Sequence, residues 1–278
     1  MFNVNDKKIK EIMADLIKVS KKAGDEILKV YGQDFKVDIK EDKSPLTEAD
    51  RRSNDVITDY LKTLPYPILS EEGKQREYSF RKDWKSFFLV DPLDGTKEFV
   101  KRNGEFTVNI AGIEERNPVL GVIYVPVKDT YYFALKGHGA YRMDGTPEKD
   151  FEDMDFNSLC ELSEKINTTF PDPEDKLIVV ASRSHMSEET QDFIDDMKKN
   201  YSEVEVVSSG SSLKLCLVAE GKAHFYPRYA PTMEWDTGAG HAVVLEAGGN
   251  VYQHSRINTQ LIYNKEDLVN PWFLVVPE

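Results

Sequence analysis

Cysteine is nearly absent from this sequence, with only Cys160 and Cys216 present. Two thiols so far apart support neither a disulfide framework nor a cysteine zinc site, and the expected compartment is a reducing cytoplasm. Cys216 sits in an apolar helical run and reads as a small core residue. Long hydrophobic runs are missing too. Apolar runs such as those at 87–90 and 272–276 fall far short of the roughly 18 residues that span a bilayer. The first eight residues lack the apolar stretch and small-residue cleavage site of a signal peptide. No integral membrane segment is expected, and peripheral attachment to the inner membrane face is left open.

Positive charge is in short supply. The 36 Lys and Arg face 49 Asp and Glu, giving a net charge of −13. That balance excludes a nucleic acid polymer as partner, because neutralising phosphates needs a basic face. A small anionic substrate is still compatible if cations screen its site. There is no Walker A loop and no Gly-x-Gly-x-x-Gly, so kinase and dinucleotide readings have no support. A Gly-x-Ser-x-Gly elbow is also missing, which favours attack by water over a covalent serine intermediate. His138, His224, His241 and His254 show no metal-ligand spacing.

What is present is a 278-residue chain with 40% hydrophobic residues, enough for a large core. Ile9, Ile12, Met13, Leu16, Ile17, Ala23, Ile27, Leu28 and Tyr31 recur at three- and four-residue steps and predict a first amphipathic helix. A second is expected from Thr47 through Val56, Ile57, Tyr60 and Leu61, ending before Pro65. Residues 87–91, 106–113, 119–125 and 131–135 read as strands separated by turn dipeptides. Residues 143–175 are polar and aperiodic and read as a long connection. Strands at 177–181, 204–207, 224–226 and 272–276 then alternate with helices at 188–199, 212–220 and 235–247. The order predicts an α+β fold of layered helices and sheets, with an N-terminal half at 1–145, a C-terminal half at 146–278 and a cleft between them.

The densest chemistry lies in Asp91-Pro92-Leu93-Asp94-Gly95-Thr96. Here a buried-looking strand ends in one carboxylate and a second follows three positions on. Pro92 fixes one φ angle and Gly95 frees another, so the turn can aim both acids at one point, although Pro-x-Asp-Gly is also an ordinary turn. Ser70-Glu71-Glu72-Gly73 places carboxylates at another strand end, and Glu234-Trp235-Asp236 opens a helix. Taken singly, Glu71 is a solvated turn charge and Asp236 an acid at a helix start. Taken together, they form one hard-cation site of oxygen donors suited to magnesium. Asp50 fits a capping pattern in Thr47-Glu48-Ala49-Asp50 and needs no other role on that reading.

The set Lys43-Ser44-Pro45-Leu46-Thr47-Glu48-Ala49-Asp50, Ser70-Glu71-Glu72-Gly73, Asp91-Pro92-Leu93-Asp94-Gly95-Thr96 and Glu234-Trp235-Asp236 resembles the inositol monophosphatase superfamily. The resemblance covers nearly the whole chain in order. It implies a layered αβαβα sandwich and a magnesium-dependent, lithium-sensitive phosphatase. Thr96-Lys97-Glu98-Phe99 stands where an inositol monophosphatase would more typically show Thr-Thr-Asn-Phe. With residues 97–110, 181–185 and 210–221, this tilts the resemblance to the branch of 3′(2′),5′-bisphosphate nucleotidases.

The resemblance implies that Glu71, Asp91 and the Leu93 carbonyl bind a first magnesium, and that Asp91, Asp94 and Asp236 bind a second. A third, weaker one near Glu71 is left open. Thr96, oriented by Asp50, would help deprotonate the attacking water, and the Gly95 and Thr96 amides would hold the scissile phosphate. Ser182, Arg183, His185, Ser212, Lys214 and Arg228 are candidates for the far phosphate and base. The expected substrate is adenosine 3′,5′-bisphosphate, cleaved to AMP. Action on 3′-phosphoadenylyl sulfate, giving adenylyl sulfate, is a further expectation, and the resemblance implies a role in clearing a by-product of sulfate assimilation. The alternatives are an inositol monophosphatase on the same metal site and a nucleotide sensor without catalysis. The latter need not keep the pair Asp50 and Thr96.

Overall fold

The computed structural model describes residue 2 and residues 7–39, 45–73, 77–172, 174, 176–181, 187–255 and 258–278. The anticipated first helix, α1, runs Lys7–Tyr31 and buries Ile9, Ile12, Met13, Leu16, Ile17, Ala23 and Ile27 along one stripe. Each of the isoleucine, leucine and methionine side chains contributes roughly 1.5–3 kcal/mol on burial. A small hairpin follows, β1 (Val37–Ile39) against β2 (Pro45–Thr47), and leads into α2, Glu48–Leu61. Thr47 caps α2, its hydroxyl accepting from the Ala49 N–H.

Seven strands form the main sheet in sequence order: β3 (Ile68–Ser70), β4 (Ser86–Asp94), β5 (Thr107–Glu114), β6 (Asn117–Val125), β7 (Thr130–Leu135), β8 (Gly139–Asp144) and β9 (Glu164–Ile166). Only the β3–β4 pair is parallel. Short helices α3 (Tyr78–Arg81) and α4 (Thr96–Val100) flank β4. The central strands are apolar on both faces because both are covered. Phe88, Val90, Val108, Ile110 and Val122 pack against α1 and α2. Phe87, Leu89, Ala111 and Ile123 face the opposite way, into a second core.

That second core is roofed by α7 (Leu213–Ala219) and α8 (Glu234–Glu246). Beyond it lies a smaller set of strands. β10 (Lys176–Ala181) pairs in parallel with β11 (Glu203–Ser208), while β14 (Phe273–Pro277) sits between β12 (Tyr226–Arg228) and β13 (Gly249–Gln253). A bridge between Val179 and Phe225 joins the two groups. The outermost helix α6, Glu188–Asn200, packs Ile194 on Leu177 and Val179. The layers therefore run helix, sheet, helix, sheet, helix, as the αβαβα expectation required. Helix α8 lies so close on β6 that a Cβ on Gly121 would come within 2.4 Å of the Ala239 carbonyl oxygen.

One expectation is corrected. Residues 143–175 are not a featureless connection. They finish β8, make a 3₁₀ turn at Phe151–Asp153, form α5 at Phe156–Glu161 and add β9 to the sheet edge. The segment is ordered by the Asp155 cap on the Ser158 N–H and by Phe156 and Leu159, buried in the α1 core. Apolar residues such as Phe156 and Leu159, scattered among polar and charged ones, gave no periodic signal. The strand expected at 224–226 is displaced to Tyr226–Arg228, and β8 and β13, each opened by a glycine, were not anticipated.

Candidate metal centre

The centre begins with an irregularity in β4. Asp91 lies opposite Asn109 and Asp94 opposite Thr107, so three steps on β4 match two on β5. In a regular strand, residues three apart face opposite sides of the sheet. The extra residue restores the parity, and Asp91 and Asp94 share one face with Asn109 and Thr107. Pro92 sits in the break, where its missing N–H costs no ladder bond, and its carbonyl accepts the Ser53 hydroxyl of α2 at 2.6 Å. Glu71 follows β3 directly, its N–H bonded to the Val90 carbonyl at 3.0 Å, and so arrives beside Asp91.

Asp236 comes from the other side of the cleft, in the first turn of α8. One of its oxygens, Oδ2, accepts the Met233 N–H at 2.9 Å, which fixes the carboxylate. One oxygen each of Asp91, Asp94 and Asp236 lie within 4.8 Å of one another. The start of α8 is itself anchored. Glu234, 0% exposed, accepts the N–H groups of Asn264 and Lys265 and the Lys265 ammonium at 2.6–2.9 Å. Asn270 Nδ2 donates to the Met233 carbonyl at 2.8 Å and to Thr237 Oγ1 at 3.1 Å. Arg81 completes the latch, bonded to Asn264 Oδ1 at 2.9 Å.

Burial, followed by the charges of Glu71, Asp94 and Asp236, holds the Asp91 carboxyl well above the usual carboxylate range. Asp236 is held high by burial and by Asp94, with the Met233 N–H pulling the other way. Carboxylates this crowded are costly without a cation between them. The donor set of Glu71, Asp91, Asp94 and Asp236, with the Leu93 carbonyl adjacent, is entirely oxygen and fits a hard divalent ion.

Thr96 opens α4 behind Gly95, whose φ of 90° is left-handed. A side chain at Gly95 would also approach the Glu105 carbonyl oxygen to 3.1 Å. The Thr96 hydroxyl lies 3.2 Å from Asp50 Oδ1 and 3.4 Å from the Leu93 carbonyl oxygen. Asp50 Oδ2 is occupied separately, by the Thr47 N–H and hydroxyl at 2.7 Å each. Asp50 therefore caps α2 and contacts Thr96 at once; the two readings of this residue are compatible.

A cavity of about 210 Å³ runs from Asp94 and Asp236 to Ser212, Lys214, Tyr226 and Arg228. Lys214 is buried, its ammonium donating to the Ser211 carbonyl at 2.7 Å and the Ser209 carbonyl at 3.2 Å. Burial draws its pKa down to about 8, opposed by Asp94. Arg228 Nη2 donates to the Pro231 carbonyl at 3.1 Å, while its buried Nε has no partner among the described residues. Ser182, Arg183 and His185 lie outside the described residues, as do Lys43 and Ser44.

Sequence reasoning gave no separate role to the polar group around Asp94. Ser211 Oγ and the Ser212 N–H both donate to Asp94 Oδ2 at 2.6 Å, and Asn109 Nδ2 approaches it at 3.4 Å. Thr107 Oγ1 lies 2.7 Å from Ser211 Oγ and 2.8 Å from Ser212 Oγ. The available signal was Thr107 and Asn109, two polar residues at strand spacing on an otherwise apolar strand.

The family profile described as inositol monophosphatase matches residues 8–270. The chain is 40% identical over 269 residues to the 3′(2′),5′-bisphosphate nucleotidase CysQ of Salmonella typhimurium, covering 95% of this chain and 99% of that one. The crystal structure of CysQ from Bacteroides thetaiotaomicron, described as a bacterial member of the inositol monophosphatase family, matches with a TM-score of 0.85. It is 49% identical and is covered over 99% of both chains. The extragenic suppressor protein suhB of Bartonella henselae matches with a TM-score of 0.72 at 25% identity, over 96% of this chain and 94% of that one.

Proposed function

This chain belongs to the inositol monophosphatase family, and from that premise we propose that it is a magnesium-dependent 3′(2′),5′-bisphosphate nucleotidase. It removes the 3′-phosphate of adenosine 3′,5′-bisphosphate to give AMP, and it acts likewise on 3′-phosphoadenylyl sulfate, a role in sulfate assimilation in the cytoplasm. The observation that carries this reading is the continuity of the carboxylate cluster with a cavity lined by Lys214, which is buried, and Arg228, which is half-buried. A nucleotide with a second anionic group at its far end would use both. The CysQ relatives, 40–49% identical, support the same choice.

In this mechanism Glu71, Asp91 and the Leu93 carbonyl hold one magnesium, and Asp91, Asp94 and Asp236 hold the second. Bound there, the ions screen the phosphate charge, acidify water and stabilise the leaving oxygen. The chain's own groups do the rest. The N–H groups of Gly95 and Thr96 orient the scissile phosphate. Thr96 Oγ1 accepts the proton of the attacking water as its own passes to Asp50 Oδ1. Water oxygen bonds to phosphorus, the bond from phosphorus to the 3′-oxygen breaks, and that oxygen is protonated from solvent. Lys214 and Arg228, with Ser182, Arg183 and Ser212, receive the 5′-phosphate and nucleoside. The halves at 1–145 and 146–278 divide this labour: most metal ligands come from the first, and Asp236 and the nucleotide contacts from the second.

The test is phosphate release with magnesium from adenosine 3′,5′-bisphosphate and from inositol 1-phosphate, each with and without lithium. A strong preference for the nucleotide, suppressed by lithium, is the expected result. Preference for inositol phosphate would transfer the protein to the other branch while keeping its metal ligands.

A further inference from the structure

Beside the Ser212 N–H, Asp94 meets the segment Ser209 to Lys214 through the side chain of Ser211. Its hydroxyl donates to Asp94 Oδ2 at 2.6 Å, and its carbonyl accepts the Lys214 ammonium at 2.7 Å. Ser211 thus bonds on one side to a carboxylate of the metal cluster and on the other to a buried cation of the substrate cavity. Its φ of 52° lies in the left-handed region, which costs a residue with a Cβ about 1–2 kcal/mol. Glycine would avoid that cost, and a serine kept there points to its hydroxyl. Ser211 Oγ and the Ser212 N–H both donate to Oδ2 of Asp94 and so fix the orientation of the carboxylate that clusters with Asp91 and Asp236.

We infer that Ser211 is a positioning residue that fixes Asp94 in the metal site and ties it to Lys214, so that divalent cation and the substrate's far phosphate bind cooperatively. The inference rests on the nucleotidase reading for the identity of that phosphate. In the free protein Lys214 is bonded to the carbonyls of Ser209 and Ser211. An arriving 5′-phosphate draws the ammonium toward itself and changes its hold on the Ser211 peptide. The Ser211 hydroxyl transmits that change to Asp94. Reciprocity follows: a cation that orders Asp94 also orders the peptide from which Lys214 is presented.

The decisive variant is Ser211→Gly, because glycine accepts the left-handed backbone and only the side chain is removed. Manganese binding to the full-length protein would be followed by paramagnetic resonance, alone, with adenosine and with AMP. Wild-type protein is expected to bind manganese about 5–10-fold more tightly with AMP than with adenosine. Ser211→Gly should bind manganese at least ~10-fold more weakly, the usual cost of losing a partner that orients a ligand. Its ratio between AMP and adenosine should fall to about 1, a change that a general loosening of the fold does not produce. Unchanged manganese affinity in Ser211→Gly overturns the positioning role. Weaker affinity with the AMP effect intact overturns the tie to Lys214. If wild-type protein hydrolyses the bisphosphate yet AMP leaves manganese affinity untouched, the cooperativity fails and the nucleotidase reading stands. If it hydrolyses no nucleotide but Ser211→Gly still loses manganese, the reading fails and the hold on Asp94 survives.

Discussion

Asp50 divides its carboxylate between two threonines. Oδ2 takes the N–H and hydroxyl of Thr47, and Oδ1 receives the hydroxyl of Thr96 at 3.2 Å. A helix cap and the proposed catalytic contact thus share one buried side chain, and the two can be separated by mutation. Thr96→Val keeps the shape and leaves the cap alone. It should lower kcat by about 10²–10⁴ with little change in melting temperature. Asp50→Ala should lower kcat similarly and also cost about 1 kcal/mol of stability. Steady-state kinetics beside thermal melts check both. An Asp50→Ala protein with lower stability and normal kcat would restrict this residue to capping.

Asp91 is 1% exposed and surrounded by acids, which gives metal removal a definite sign. A carboxyl raised in the folded state above its ordinary value of 3.8 stabilises the fold at low pH. That stability is lost as pH rises through the folded-state value. Chelated wild-type protein should therefore lose melting temperature as pH rises from acid toward neutral, and magnesium should restore it. Asp91→Asn should flatten the pH dependence, melt higher than wild type under chelation, and show no activity and little stabilisation by magnesium. Melting scans with chelator and with magnesium across this pH range test all of these.

Lys214 titrates near 8 because it is buried. Its charge is complete below that pH and is lost above it, so the KM for adenosine 3′,5′-bisphosphate should rise above pH 8. The KM for adenosine 3′-phosphate, which lacks the distal anion, should stay level across the same range. Lys214→Met should remove the difference between the two substrates. Paired pH profiles of kcat/KM for wild type and variant provide the measurement.

Glu234 is fully buried at the foot of α8 with the half-buried Lys265 ammonium as its partner, and removing the lysine would leave that carboxylate without its counter-charge. Lys265→Met should destabilise the protein by about 3–5 kcal/mol. Urea unfolding would report this as a lower midpoint at an unchanged slope. The double variant Glu234→Gln with Lys265→Met should recover part of the loss.

The acidic motifs were legible because Asp91 and Asp94 lie in the last part of a plainly apolar strand and Asp236 in the first turn of a plainly apolar helix. The two longest helices and the four strands that follow were legible for the same reason. The bulge that turns Asp94 to the same face as Asp91 was not, because it is a property of the pairing between β4 and β5. Nor was the hold of Ser211 on Asp94, across 117 residues of sequence. Helix α5 and β9 escaped because their packing rests on a few residues such as Phe156, Leu159 and Ile166, scattered among charges.

The latch from Asn264, Lys265 and Asn270 to the start of α8 also sets a timetable. The chain emerges from the ribosome at roughly 5–20 residues per second, N-terminus first. Glu71, Asp91 and Asp94 are therefore exposed to the cell well before Asp236 has been synthesised, and longer still before Asn270 can fix it. For those seconds the nascent chain carries three carboxylates without the fourth that closes the cluster. In the proposed metal site, the four carboxylates are therefore held together only after Asn264, Lys265 and Asn270 have emerged to fix the start of α8.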